Sequence, residues 1–314
     1  MDIMNIIKHR PHKIILLFLI ILSCFLVYFL YLKKYTRKTE GFTQNSPFII
    51  KRNQNIYDEF TSEIYDKIYN PTPNVQYIFN TVEKLTQSDT NNSVLLDIGS
   101  GTGELVYYIN SKGYKNVFGI ENSPSMVEIS LKKNTNLNII QGDITVPMTF
   151  DKNTFSHIFM TDNTIYHFKD KVSLFRNIYY WLRPNSYMII ELVDREQFDA
   201  IPPSGKPLLL ETPQTYSKER ITNTEIDFHK FKYNSSYDFS KMTDSDTVVL
   251  TEKFTDVASG NVRKNELNLY MESIDIIVYT AQYCGFIVKG QFNLLESPTK
   301  KDKHSYTFIF ERPY

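Results

Sequence analysis

Residues 94–103 read VLLDIGSGTG: an apolar run ending at Asp97, then glycines at 99, 101 and 103, then the amphipathic stretch Glu104 to Asn110. The order predicts strand, tight loop, helix. Glycine lets a backbone take dihedrals closed to other residues and approach a ligand with no Cβ in the way. A helix opening beyond such a loop points free N–H groups at whatever lies there. The decapeptide therefore predicts a nucleoside-cofactor site.

Two cofactor classes compete for it. A dinucleotide fingerprint, G-x-G-x-x-G, needs a glycine at 104, where the chain has glutamate. The spacing G-x-G-x-G, with an acid two places before the first glycine, resembles motif I of the class I methyltransferases that use S-adenosylmethionine (SAM). SAM has no pyrophosphate and carries a sulfonium and an ammonium, so a carboxylate such as Asp97 suits it.

The following elements extend the resemblance over residues 93–195. NVFGIE (116–121) ends in Glu121, placed to accept hydrogen bonds from ribose hydroxyls. SPSMVEISLKK (123–133) follows, with Ser123 as N-cap and Pro124 in the first turn. LNIIQGDI (137–144) ends in Gly142-Asp143, whose acid faces the adenine amino group in similar proteins. The resemblance thus implies a cofactor set of Asp97, Gly99, Ser100, Gly101, Gly103, Glu121, Asn122, Met126, Gly142, Asp143, Ile144 and Thr161. The fold it implies is α/β: a Rossmann-like, doubly wound, mostly parallel seven-stranded sheet.

Around this core, Asn55–Tyr69 predicts an amphipathic helix, with Tyr57, Tyr65 and Tyr69 on a second, wetter stripe. Lys169–Leu182 predicts another, broken by Arg183-Pro184-Asn185. The usual phrase at that break is L-x-P-G-G; here it is LRPNS, which calls for Asn185 in a left-handed conformation. After the fifth strand (187–193) the chain departs from a minimal fold. Residues 196–272 predict an inserted β-rich segment, read as a lid over the acceptor. Its Phe228, Phe231, Tyr233, Tyr237 and Phe239 are read first as the hydrophobic face of a small sheet. A helix and two strands (273–314) close the chain.

Residues 14–32 (IILLFLIILSCFLVYFLYL) carry no charge, enough to cross a hydrocarbon core of ~30 Å as a helix. They predict a single-pass anchor between a tail (1–13) and a linker (33–47), with residues 48–314 as the methyltransferase domain. Lys33, Lys34, Arg37 and Lys38 after the span, against Lys8, Arg10 and Lys13 before it, favour a cytosolic domain.

Composition narrows the partners. Thirty-five basic residues balance 35 acidic ones, so there is no electrostatic footprint for nucleic acid. An N/D-P-P-Y loop or Pro-Cys nucleophile for an extruded base is also missing. Two cysteines, Cys24 and Cys284, form neither a disulfide framework nor a metal or iron–sulfur cluster, and no metal is expected. The acceptor is expected to be a small molecule, a lipid or a peptide.

Methyl transfer from a sulfonium needs alignment, exclusion of water and, for a protonated nucleophile, a base. TDNTIYHF (161–168), after the fourth strand, supplies His167 as candidate base and Tyr166 to orient the acceptor. Asp162 is positioned to bind an amine, and Asp194 and Arg195 are rim candidates. The alternatives are a SAM-fold scaffold protein at a membrane and an NAD-dependent oxidoreductase.

Overall fold

The computed structural model describes residues 16, 18–28, 46–206 and 211–314. It divides into two units, 1–43 and 44–314. In the first, residues 16 and 18–28 are helical with exposed apolar side chains, Leu16 to Tyr28. Among the described residues no helix is long and apolar enough to cross a membrane. Residues 14, 15, 17 and 29–32 of the expected span lie outside the described residues, as do the tail (1–13) and positions 33–45 of the linker.

In the second unit the glycine-loop strand β2 (Val94–Ile98) is central to a seven-stranded sheet. Its companions are β3 (Asn116–Glu121), β4 (Ile139–Gln141), β5 (Phe155–Met160), β6 (Leu182–Val193), β11 (Ile287–Leu294) and β12 (Asp302–Arg312). Their order is β11-β12-β6-β5-β2-β3-β4. Strands β2 to β6 are mutually parallel and β12 runs against both its neighbours.

Alternation along the strands builds both faces. Leu95 joins Val75, Ile78, Phe79 and Val82 of α2 (Thr72–Thr86) and Leu105, Val106 and Ile109 of α3 (Glu104–Ser111). Its neighbour Leu96 joins Leu174, Phe175 and Ile178 of α5 (Lys171–Trp181) in the other core. Strands buried on both faces read as largely apolar runs, as VLL (94–96) and IFM (158–160) do. Helix α5 ends where β6 begins, and β6 runs through Arg183, Pro184 and Asn185 instead of starting after them. Asn185 has φ 56°, the left-handed conformation expected of it.

The insertion folds into a second sheet, ordered β1-β10-β9-β8-β7. Four of its strands come from the insertion: β7 (Asn223–Phe228), β8 (Phe231–Asp238), β9 (Thr247–Asp256) and β10 (Val262–Tyr270). The fifth, β1 (Phe48–Arg52), precedes the core and pairs in parallel with β10. The expected helix at 55–69 is shorter: α1 spans Glu59–Tyr69, with Asp58 as its N-cap. Val248 and Leu250 of β9 and Leu267 and Leu269 of β10 pack into the same core as α5. The two sheets therefore face each other across the ends of the parallel strands, where open α/β sheets bind ligands.

Candidate active site

Most of the expected cofactor residues gather where three neighbouring strands end. Gly99, Gly101, Glu121, Asn122, Met126, Gly142, Asp143 and Ile144 line one cleft beyond the tips of β2, β3 and β4. Helix α4 (Pro124–Lys133) opens on that cleft, its Ser123 cap accepting from Met126 N. The Glu121 carboxylate accepts from Gly101 N (3.0 Å) and Ser123 N (2.8 Å), so one acid holds both the glycine loop and the α4 cap.

The glycines divide by role. Gly101 (φ +52°) has nothing closer than 3.9 Å to where a Cβ would sit, leaving its backbone open to the cleft. Gly99 (φ +69°) would place a Cβ 2.7 Å from Thr164 Cγ2. At Gly103 a Cβ would meet Leu137 and Ser130 at 3.0 Å, so this glycine serves helix packing and does not line the cleft. Ser100 is likewise buried away from the cleft, against Gly119. Thr161 is buried too, its carbonyl accepting from Thr164 N (3.0 Å) and Oγ1 (2.7 Å) to shape the turn that follows.

Three carboxylates, Glu121, Asp143 and Asp162, line the cleft without a lysine or arginine among its described lining, and Asp97, 4% exposed, stands behind them. Burial and the neighbouring charges of Asp162 and Glu121 push the Asp97 carboxyl well above its usual range. Burial raises Glu121, and burial also pushes Asp162 up to about 6. This donor set fits SAM: carboxylates to meet an ammonium and a sulfonium, beside a glycine with room for close approach. A pyrophosphate would be repelled by the same carboxylates.

A second cavity opens between the two sheets. It is lined by α1 (Tyr65, Tyr69), the loop after β5 (Asp162, His167), the second sheet (Tyr233, Tyr237, Glu252) and the loop before β12 (Lys300). Tyr57, Tyr65, Asp162 and His167 line both cavities. The Tyr57 and His167 rings lie 6.0 Å apart, centre to centre. Burial lowers His167 to about 4, so its ring is neutral at physiological pH. Asp162 is anchored from behind: its N–H donates to Glu191 (3.1 Å), Asn74 Nδ2 donates to it (3.3 Å), and Lys300 lies 3.7 Å away. Lys300 also pairs with Glu191, which has no exposed surface.

Some expected roles are corrected. Tyr166 has no exposed surface and lines neither cavity; its hydroxyl accepts from Val193 N at 2.8 Å, tying the loop to β6 instead of reaching an acceptor. Arg195 pairs with Asp246 and donates to the Met271 carbonyl, and Asp194 caps the turn after β6, so both lie outside the two cavities. Of the insertion's aromatic residues, Tyr233 and Tyr237 line the second cavity. Phe228 and Phe231 stack on each other at 5.0 Å, away from it.

The sequence reading missed Glu252. Its signal was available: in β9 the inward positions read Val248, Leu250, Glu252, Phe254, a carboxylate in a core-facing row. The Lys300–Glu191–Asn74 network had no local signal, because its members lie on three elements far apart in the chain.

Residues 96–190 match the family described as "Methyltransferase domain". A phosphoethanolamine N-methyltransferase of Triticum aestivum is 32% identical over 100 residues, 31% of this chain and 20% of that protein. One from Plasmodium falciparum is 30% identical over 102 residues, 32% of this chain and 38% of that protein. The match thus spans a fifth to under two fifths of these relatives. The CcbJ methyltransferase of Streptomyces caelestis has a similar fold: TM-score 0.59 and 14% identity, over 82% of this chain and 98% of that one. The chain has the class I methyltransferase fold, and residues 96–190 match the methyltransferase-domain family.

Proposed function

We propose that the chain is a SAM-dependent N-methyltransferase acting on the amine of a small acceptor, held at a membrane by residues 14–32 with its catalytic domain in the cytosol. The observation that carries this reading is the meeting of two cavities at Tyr57, Tyr65, Asp162 and His167. One cavity suits the methyl donor; the other opens on the same four side chains from the acceptor side.

When bound, the cofactor supplies an electrophilic methyl group on a positively charged sulfur. The chain's residues do the rest. The acidic walls would attract the acceptor as an ammonium, and Asp162 at the junction would take its proton, freeing the nitrogen lone pair to receive the methyl group that the cofactor supplies. At about 6, Asp162 is the stronger base of the junction pair; His167, near 4, accepts a hydrogen bond and orients the nitrogen. The proton-accepting role expected of His167 thereby passes to Asp162. Tyr57 and Tyr65 remain neutral phenols, since burial raises both far above physiological pH, and they exclude water from the reacting atoms. The names of the two curated relatives, which specify N-methyl transfer, agree with an amine acceptor.

Membrane attachment is supported by the uncharged run 14–32 and the exposed apolar side chains of its described part. The test is methyl transfer from tritiated SAM by the full chain in detergent, with matched primary amines, alcohols and carboxylic acids as acceptors. Label is expected in the amines. Label in the alcohols or acids but not the amines would refute the reading, as would recovery of the full chain, without detergent, in the soluble fraction for the membrane part.

A further inference from the structure

The acceptor cavity is unusual in where its charges sit. Its described lining holds four carboxylates (Asp162, Asp199, Glu252, Asp302) against two lysines. Both lysines are engaged. Lys206 lies 2.8 Å from Asp199 and donates to the Lys300 carbonyl. Lys300 is held between Glu191 and Asp162. No cation of this lining is left to meet a phosphate.

Glu252 lines the same cavity as Asp162, from the inner face of the second sheet. Strand register puts it in one row with Ser235 of β8 and Asn265 of β10, between rows containing Tyr233–Phe254–Arg263 and Tyr237–Leu250–Leu267. It is 6% exposed. Its donors are neutral: Tyr69 Oη (2.6 Å), Tyr233 Oη (2.9 Å) and Asn265 Nδ2 (3.3 Å). Among the described residues no lysine, arginine or histidine pairs with it. The nearest cation in the network, Arg263, donates to Asn265 and is paired with Asp58 at 2.9 Å. A buried carboxylate without a cation is costly unless something compensates it. Tyr69, Tyr233 and Tyr237 line the same cavity, and aromatic rings attract a cation.

We infer that the acceptor is a small diamine or polyamine without phosphate: one nitrogen receives the methyl group at Asp162, and a second, cationic nitrogen is held by Glu252 within the cage of Tyr69, Tyr233 and Tyr237. This rests on the proposed amine specificity and departs from the phosphorylated acceptor named for the curated relatives. Burial first and then the Glu252 charge push Tyr237 up to about 12, and the same two causes raise Tyr69 well above its ordinary value.

The test is calorimetric titration of the full chain, saturated with S-adenosylhomocysteine, with 1,4-diaminobutane, butylamine, ethanolamine and phosphoethanolamine. The diamine is expected to bind about tenfold more tightly than butylamine, and phosphoethanolamine no better than ethanolamine. Glu252→Gln, which keeps the size and can keep the tyrosine contacts, should remove the diamine's advantage; Tyr237→Leu, which leaves Glu252 in place, should reduce it several-fold. Unchanged S-adenosylhomocysteine affinity reports that each variant is folded. A diamine that binds no better than butylamine, an E252Q variant with the advantage intact, or a preference for phosphoethanolamine would overturn the inference while leaving amine methylation standing. Failure of every amine to bind the loaded protein would overturn both.

Discussion

Gly99→Ala probes the contact between the cofactor loop and the loop that carries the junction residues. At φ +69° an alanine bears a left-handed penalty of roughly 1–2 kcal/mol. Its Cβ would also lie 2.7 Å from Thr164 Cγ2 and 3.2 Å from Oγ1. Thr164 cannot simply rotate away, because its hydroxyl donates to the Thr161 carbonyl at 2.7 Å and it opens the turn Thr164–His167. Overpacking of this kind costs about 1–3 kcal/mol. Together the two effects should lower stability by roughly 2–5 kcal/mol, or about 1 M in the urea midpoint at an m-value near 3 kcal/mol/M. Because displaced Thr164 carries His167 with it, S-adenosylhomocysteine affinity should fall about tenfold. The double variant Gly99→Ala/Thr164→Ser removes the clashing methyl and keeps the hydroxyl. It should recover about 1–2 kcal/mol and most of the affinity, while the dihedral strain remains. Urea melts and calorimetry read both quantities. A G99A protein with the wild-type midpoint, or a double variant no better than G99A alone, would refute the steric account.

Other consequences follow from single contacts. Tyr166→Phe removes the hydroxyl that accepts from Val193 N, so it should destabilise the fold by about 1–2 kcal/mol in urea melts with the SAM dissociation constant unchanged; a large loss of turnover at equal stability would return Tyr166 to the active site. Lys300→Met leaves Glu191 buried and unpaired, for a loss of about 3–5 kcal/mol by denaturation, and Glu191→Gln in the same chain should recover part of it. His157 is 4% exposed and lowered to about 4 by burial, so the unfolded chain binds the extra proton between about 4 and 6.5 and stability rises with pH across that window, by about 3 kcal/mol for this group; a His157→Gln protein should show a shallower rise in thermal melts from pH 4.5 to 7. Asp162 must be ionised to act, so kcat/KM at saturating SAM should climb as pH rises through about 6, and Asp162→Asn should abolish that limb.

Much of the donor half of this site is legible in the sequence because it is local. VLLDIGSGTG sets strand, loop and helix within ten residues, and Glu121, Ser123 and Asp143 stand at the ends of the next two strands, where the parallel topology brings them together. The acceptor half is less legible because it is assembled from distant segments. Strand β1 opens the expected domain, but its partner β10 lies more than 200 residues later. Lys300 meets Asp162 only because β12 returns beside β6. Tyr166 misleads for a related reason: next to His167 in sequence, it points into the core on a tight turn that sends its neighbour to the cavity. Glu252 was readable in principle, as the one acid on the inward side of an otherwise apolar β9.

Single-turnover transfer from tritiated SAM to a primary amine, by the wild-type chain and by Asp162→Asn, asks whether an amine receives the methyl group at the junction of the two cavities. With SAM and amine saturating at pH 8, label is expected on the amine nitrogen in the wild type, with transfer slowed by about 100-fold or more in the variant. Equal rates in the two proteins, or no label on nitrogen in the wild type, would contradict amine methylation at that junction.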